Sequence, residues 1–251
     1  MKALITGASS GIGRDIAREL AKRNYDLVLI ARNVERLEAL KNELIEEYKI
    51  NVEYKSVDLT NKVSCIGLVE KYKDIDVLVN NAGLGDFGKF DETELEKDLT
   101  LIDTNITSVH ILTKLYLKEF KAKNEGKILN VASIAGFLPG PLMATYYGTK
   151  NYVVRLSEAI REELKKDNSS VQISILCPGP VTTNFNNVAN VKFDLKSLSS
   201  EYVAKYAVEK FLKGKFYIVP GFSVRCGRIL SRLVPTSLVA KVVYQSQKRK
   251  C

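Results

Sequence analysis

From its first residues the chain alternates short, continuous apolar runs with stretches whose apolar residues recur at helical spacing. ALIT (3–6), DLVLIA (26–31), NVEYKSVD (51–58), IDVLVN (75–80), GKILNVAS (126–133) and VQISILC (171–177) read as strands, with GKFYIV (214–219) as the last. Helical patterns lie between them at about 12–22, 34–49 and 61–73, two in sequence over about 93–123, and a long one over 146–166. Strands that are apolar throughout need cover on both faces, and repeated βα units supply it. The pattern therefore predicts an α/β chain with one doubly wound parallel sheet. No repeat, low-complexity tract or linker-like shift interrupts it, so 1–251 reads as a single domain, with about 184–198 as a substrate lid and 222–251 as a C-terminal extension.

Composition narrows the chemistry. The four cysteines form no CxxC pair, and His110 is the sole histidine. That argues against a disulfide framework or a zinc site and for a reducing, cytoplasmic setting. Acid–base work near neutral pH must then rest on a residue type whose pKa has moved. No apolar run approaches the ~20 residues that span a bilayer, and no signal peptide is apparent. The net charge of +9 is spread along the whole chain, so solvated basic surface, not nucleic-acid binding, accounts for it.

The unusual residues follow strands, at the sheet edge where ligands of doubly wound folds bind. Gly7-Ala8-Ser9-Ser10-Gly11-Ile12-Gly13 joins the first strand to the first helix. Glycines there permit a tight turn and let backbone N–H groups reach a pyrophosphate at the helix N-terminus. The second strand ends Ile30-Ala31-Arg32-Asn33, with no carboxylate for a ribose 2′-OH and with Arg32 placed to hold a 2′-phosphate. NADP(H) is thus expected over NAD.

With Asn80-Asn81-Ala82-Gly83, Ser133 at a strand end, Tyr146-x-x-x-Lys150 and Pro178-Gly179, the ordered set resembles the classical short-chain dehydrogenase/reductases, which have a Rossmann-type fold. The resemblance runs from the first residues to about Thr183. It implies that Asp58 and Leu59 contact the adenine, that Asn81, Ala82 and Gly83 pack along the adenosine, and that Val181 and Thr183 hold the nicotinamide carboxamide. It implies a catalytic tetrad of Asn105, Ser133, Tyr146 and Lys150, with Asn105 holding a water that relays protons to the lysine. Relatives commonly pair as homodimers or homotetramers.

In Ala144-Thr145-Tyr146-Tyr147-Gly148-Thr149-Lys150 either tyrosine shares a helical face with the lysine, so period alone cannot choose between them. The family's pattern selects Tyr146 and leaves Tyr147 as a pocket wall. An ammonium close by should lower the phenol's pKa from its usual 10. The segment 134–143 is almost wholly apolar and lacks arginine, and 84–90 adds two phenylalanines, which points to an uncharged or lipid-like carbonyl or alcohol substrate. The C-terminal stretch mixes apolar and basic residues; it reads as helices closing the pocket or meeting a subunit, with contact to a membrane surface the lesser alternative. The rival readings are a non-catalytic NADP-binding regulatory protein and a dehydratase or epimerase of related fold.

Overall fold

The computed structural model describes residues 1–183, 197–222, 224–226 and 233–248. Its main sheet comprises β1 (Lys2–Thr6), β2 (Asp26–Ala31), β3 (Val52–Ser56), β4 (Val77–Asn80), β5 (Lys127–Val131), β6 (Gln172–Leu176) and β9 (Tyr217–Ile218) in the order β3-β2-β1-β4-β5-β6-β9. Every adjacent pair is parallel. Two short strands, β7 (Val181–Thr182) and β8 (Leu198–Ser199), pair separately beside it. Of the expected lid, residues 184–196 lie outside the described residues.

The helices are α1 (Gly11–Ala21), α2 (Val34–Tyr48), α3 (Lys62–Lys71), α4 (Leu95–Ile102), α5 (Ser108–Lys123), α6 (Ala144–Lys166), α7 (Ser200–Leu212) and α8 (Thr236–Lys248). Strand residues alternate between two cores. Ala3, Ile5, Leu27 and Leu29 pack with α1, α2 and α7, whereas Leu4, Val28, Ile30 and Leu78 pack with α3, α5 and α6. Both faces are covered, which is why the strands show no polar alternation. The chain order reverses between β1 and β4, and the loops following these strands diverge there to leave a cleft.

Local chemistry sets the helix limits. Asn33 and Asn61 cap α2 and α3, their side chains accepting from the N–H groups of Arg36 (2.8 Å) and Ser64 (3.0 Å). Lys49 ends α2 in the left-handed conformation, at φ 55°. The two helices expected over 93–123 form one continuous run, α4 to α5, through a π-helical turn at Asp103–Thr107. No helix among the described residues is long and apolar enough to cross a membrane.

Candidate active site

Between Thr6 and α1 the chain turns through Gly7, at φ 66°. A Cβ on Gly7 would stand 2.8 Å from the Ala82 Cα, and one on Gly13 would stand 2.3 Å from Asn81 Nδ2. Both glycines therefore serve close approach between the first turn and the end of β4. Asn81 secures that approach, donating from Nδ2 to the carbonyls of Thr6 (3.0 Å) and Gly7 (3.2 Å). The Thr6 hydroxyl oxygen accepts from the N–H groups of Asn81 and Ala82, each at 3.0 Å. Ser10 caps α1 without a side-chain bond, and no acidic residue occupies the first turn. The positive end of α1 is thus left for an outside anion, and Ser9, Ser10, Gly11 and Ile12 line the cleft.

At the other end of this wall lie Arg32, Asn33, Asp58 and Leu59, joined by Arg36. Asp58 accepts from the N–H of Thr60 (3.0 Å) and from its hydroxyl (2.9 Å). These bonds, with a smaller contribution from Arg32, hold its carboxyl below the usual range. Neither Arg32 nor Arg36 closes a hydrogen-bonded ion pair among the described residues. The two arginines stand on either side of the Asn33 cap in the chain, Arg32 before it and Arg36 in the first turn of α2. Arg36 was not singled out from the sequence, although its place in the first turn after β2 is the signal that could have found it.

The reacting end is built from three elements. The π-turn carries Asn105, fully buried, which donates from Nδ2 to the Leu84 carbonyl (2.9 Å) and the Thr149 hydroxyl (3.0 Å). Its Oδ1 accepts from the Leu84 N–H at 2.9 Å. Asn105 thereby ties the loop after β4 to α6. Ser133 follows β5; its Oγ accepts from the Ala135 N–H at 3.1 Å and is hydrogen-bonded to the Tyr146 phenol. In α6, Lys150 Nζ donates to the Val131 carbonyl at 3.0 Å and lies 5.9 Å from the Tyr146 ring centroid. A Cβ on Gly83 would lie 3.2 Å from Lys150 Nζ and 3.3 Å from Asn105 Oδ1, so only glycine leaves both groups undisturbed.

The two tyrosines part at their hydroxyls. Tyr146 turns to Ser133, while the Tyr147 hydroxyl accepts from Gln247 Nε2 at 2.7 Å, across from α8. Pro178, Gly179, Val181 and Thr183 complete the wall, with Thr183 lying over Gly11. All the expected site residues except Gly13 and Asn105 line one cleft of about 630 Å³; those two support it from behind.

The electrostatics differ from expectation in one respect. Burial pushes the Tyr146 phenol up to about 12; the bond from Ser133 opposes this, and Tyr147 adds to it. Burial likewise brings Lys150 down to about 8, against a small opposing effect of Cys177. A lowered tyrosine was expected because a lysine stands one turn on. Removal of both groups from water outweighs that proximity in the protein alone.

The family model for short chain dehydrogenases matches residues 1–192. The chain belongs to the classical short-chain dehydrogenase/reductase family. As such it is 36% identical over 191 residues to an NADP-dependent 3-hydroxy acid dehydrogenase of Schizosaccharomyces pombe, a match covering 74% of this chain and 73% of that one. It is 34% identical over 206 residues to a very-long-chain 3-oxoacyl-CoA reductase of Bos taurus, covering 78% of this chain and 64% of the bovine protein. Among solved structures it is similar to a short-chain dehydrogenase from Sphingobium yanoikuyae in complex with NADPH, with a TM-score of 0.84, 29% identity and coverage of 92% and 93% of the two chains. This short-chain dehydrogenase/reductase adds cleft residues from its C-terminal α8, namely Val242, Val243, Ser246 and Gln247. The sequence reading placed helices near the pocket here but named none of these residues.

Proposed function

We propose that this chain is an NADP(H)-dependent carbonyl reductase or alcohol dehydrogenase acting on an apolar, lipid-like carbonyl or alcohol. One observation carries the reading: the Tyr146 phenol, hydrogen-bonded to Ser133 and one turn from buried Lys150, faces the same cleft as the glycine turn of β1. The residues fit a dinucleotide. The turn is closed to any Cβ at Gly7 and Gly13, the α1 N-terminus lacks an internal anion, and two arginines flank the site of a 2′-phosphate. The adenosine end would rest on Asp58, Leu59, Asn81, Ala82 and Gly83, the pyrophosphate on Ser9 to Ile12, and the nicotinamide end on Pro178 to Thr183. When bound, the cofactor supplies or accepts the hydride at the substrate carbon.

The protein's part is the proton and the geometry. Ser133 donates to the carbonyl oxygen and to the charge that grows on it. Tyr146 gives or takes the proton at that oxygen, and positioning of this kind contributes roughly 10²–10⁴-fold. Lys150, held by the Val131 carbonyl, provides the positive charge that favours a phenolate. Asn105 fixes α6 against the loop after β4 and keeps the route to Lys150 open for a relaying water. Substrate would lie against Leu84, Leu138, Met143, Tyr147, Val242 and Val243, which offer an apolar wall. Exposed Leu95, Leu99 and Ile102, along one edge of α4, suit burial in a homodimer or homotetramer, which light scattering would read.

The test is NADPH oxidation followed against a panel of ketones, aldehydes and 3-oxoacyl thioesters, with Tyr146→Phe as control. Turnover of apolar carbonyls that disappears in the variant is expected. No turnover of any carbonyl by protein that binds NADPH would contradict the reading.

A further inference from the structure

Gln247 is only 2% exposed although most of α8 is open to solvent. The face of α8 directed inward consists of Val239, Ala240, Val243 and Gln247, so its one fully buried side chain is a polar one. Nε2 donates to the Tyr147 hydroxyl, and Oε1 has no hydrogen-bond partner among the described residues. A buried carbonyl oxygen left without a donor is disfavoured relative to one in water. Such a group is expected to find a partner. The side chain lines the cleft, bonded to the Tyr147 hydroxyl, whereas the Tyr146 phenol is bonded to Ser133. Met143, itself buried, packs against both tyrosine rings and makes the intervening surface apolar.

From this arrangement we infer that Gln247 Oε1 is the specificity-determining acceptor of the substrate pocket and takes a neutral hydrogen-bond donor carried by the substrate away from its reacting carbonyl. This deepens the carbonyl-reductase reading and rests on it. The apolar span between Tyr146 and Gln247 requires a substrate that is apolar next to the carbonyl and polar further along. A secondary amide N–H, as in the thioester arm of an acyl carrier, has this chemistry; so does a hydroxyl on a longer ketone. A carboxylate does not, because it would set acceptor oxygens and a negative charge against another acceptor oxygen. Tyr147 positions the amide by accepting from Nε2, which leaves Oε1 as the group still to be satisfied.

The experiment compares three substrates with the full-length wild-type chain and with Gln247→Met and Tyr147→Phe. They are the N-acetylcysteamine thioester of a 3-oxoacyl chain, the same thioester methylated on its amide nitrogen, and a hydroxyketone of matched length. Binding of the two thioesters is also measured by calorimetry, independently of turnover. Wild type is expected to favour the N–H thioester over its N-methyl form by about tenfold in affinity and in kcat/KM. Gln247→Met should remove that preference, bringing the ratio of kcat/KM for the two thioesters to about one. Tyr147→Phe, which keeps Oε1, should retain a preference. A preference confined to the hydroxyketone would name the hydroxyl as the donor and exclude the amide. Equal loss on every substrate in Gln247→Met would make the residue merely structural and overturn the proposal. So would wild-type indifference to N-methylation and hydroxyl alike, or a gain for acceptor-bearing substrates. Failure of the carbonyl-reductase reading looks different: no substrate turns over, whatever the calorimetry shows.

Discussion

Tyr146 and Tyr147 stand edge to face, ring centroids 6.0 Å apart and planes at 77°, with their hydroxyls given to different partners. The first meets Ser133 from β5 and the second meets Gln247 from α8. Neighbours in sequence thus tie α6 to two different elements of the cleft. Replacing Tyr146 by Phe should lower kcat by about 10²–10⁴-fold, since the proton donor is lost with little change in packing. Tyr147→Phe should keep kcat within about tenfold on substrates that lack a second polar group. Steady-state NADPH oxidation by the two variants reads both effects, and inactivity of Tyr147→Phe alone would reverse the assignment.

Lys150 makes stability depend on pH in a defined direction. Its pKa falls from 10.5 to about 8 on folding, so below pH 8 it is charged in both states and the folded state bears a burial penalty of about 3 kcal/mol. Between pH 8 and 10.5 the unfolded chain holds a proton that the native chain has released, and this group's contribution to stability rises with pH. Tyr146 acts the other way above pH 10, where only the unfolded phenol ionises until about pH 12. Lys150→Met should therefore be more stable than wild type at pH 7, by an amount that shrinks as pH rises from 8 to 10.5. Urea denaturation across that range measures it; a difference constant with pH would contradict the burial account.

Gly13 tolerates no side chain. A Cβ would come 2.4 Å from the Gly7 carbonyl oxygen and closer still to Asn81 Nδ2. Gly13→Ala should destabilise the fold by about 1–3 kcal/mol and weaken NADPH binding, because the Gly7 backbone and the Asn81 side chain must both move. Gly67→Ala, with open space around its Cβ position, is the control and should do neither. Thermal melts with and without NADPH distinguish the two variants.

A buried polar ladder supports the site from below. Asn80 Nδ2 donates to Asn130 Oδ1 (2.9 Å) and Thr113 Oγ1 (3.0 Å), and Asn130 Nδ2 donates to Ser157 Oγ (2.9 Å). It joins β4 and β5 to α5 and α6, one residue from Asn81 and three from Ser133. Asn130→Ala should cost about 1–3 kcal/mol of unfolding free energy by leaving partners unsatisfied, without changing the cofactor preference. Denaturation and nicotinamide titration of the same preparation check both halves.

The fold was legible because parallel strands covered on both faces leave a distinctive mark, continuous apolar runs such as DLVLIA between helical periods. The glycine turn was legible for a similar reason, since its requirement is local in sequence, whereas period left Tyr146 and Tyr147 equal and the choice rested on the family's pattern. What escaped depends on distance or on solvent. Gln247 reaches Tyr147 from 100 positions away, and no period signals such a contact. The π-turn that carries Asn105 differs from an α-helix by one residue in its hydrogen bonding and leaves no pattern in LTLIDTNITS. The rise in the Tyr146 pKa follows from burial of the phenol, which a lysine four positions on cannot disclose.

The central claim, that the cleft is an NADP(H) site, is tested most directly by titrating the protein with NADPH and NADH. Since the chain has no tryptophan, nicotinamide fluorescence can be followed without an indole background. Wild type should bind NADPH at least tenfold more tightly than NADH, Arg32→Ala and Arg36→Ala should each reduce that preference, and the double variant should abolish it. Equal affinity of wild type for the two nucleotides would contradict the role given to the arginines, and binding of neither would contradict the account of the site.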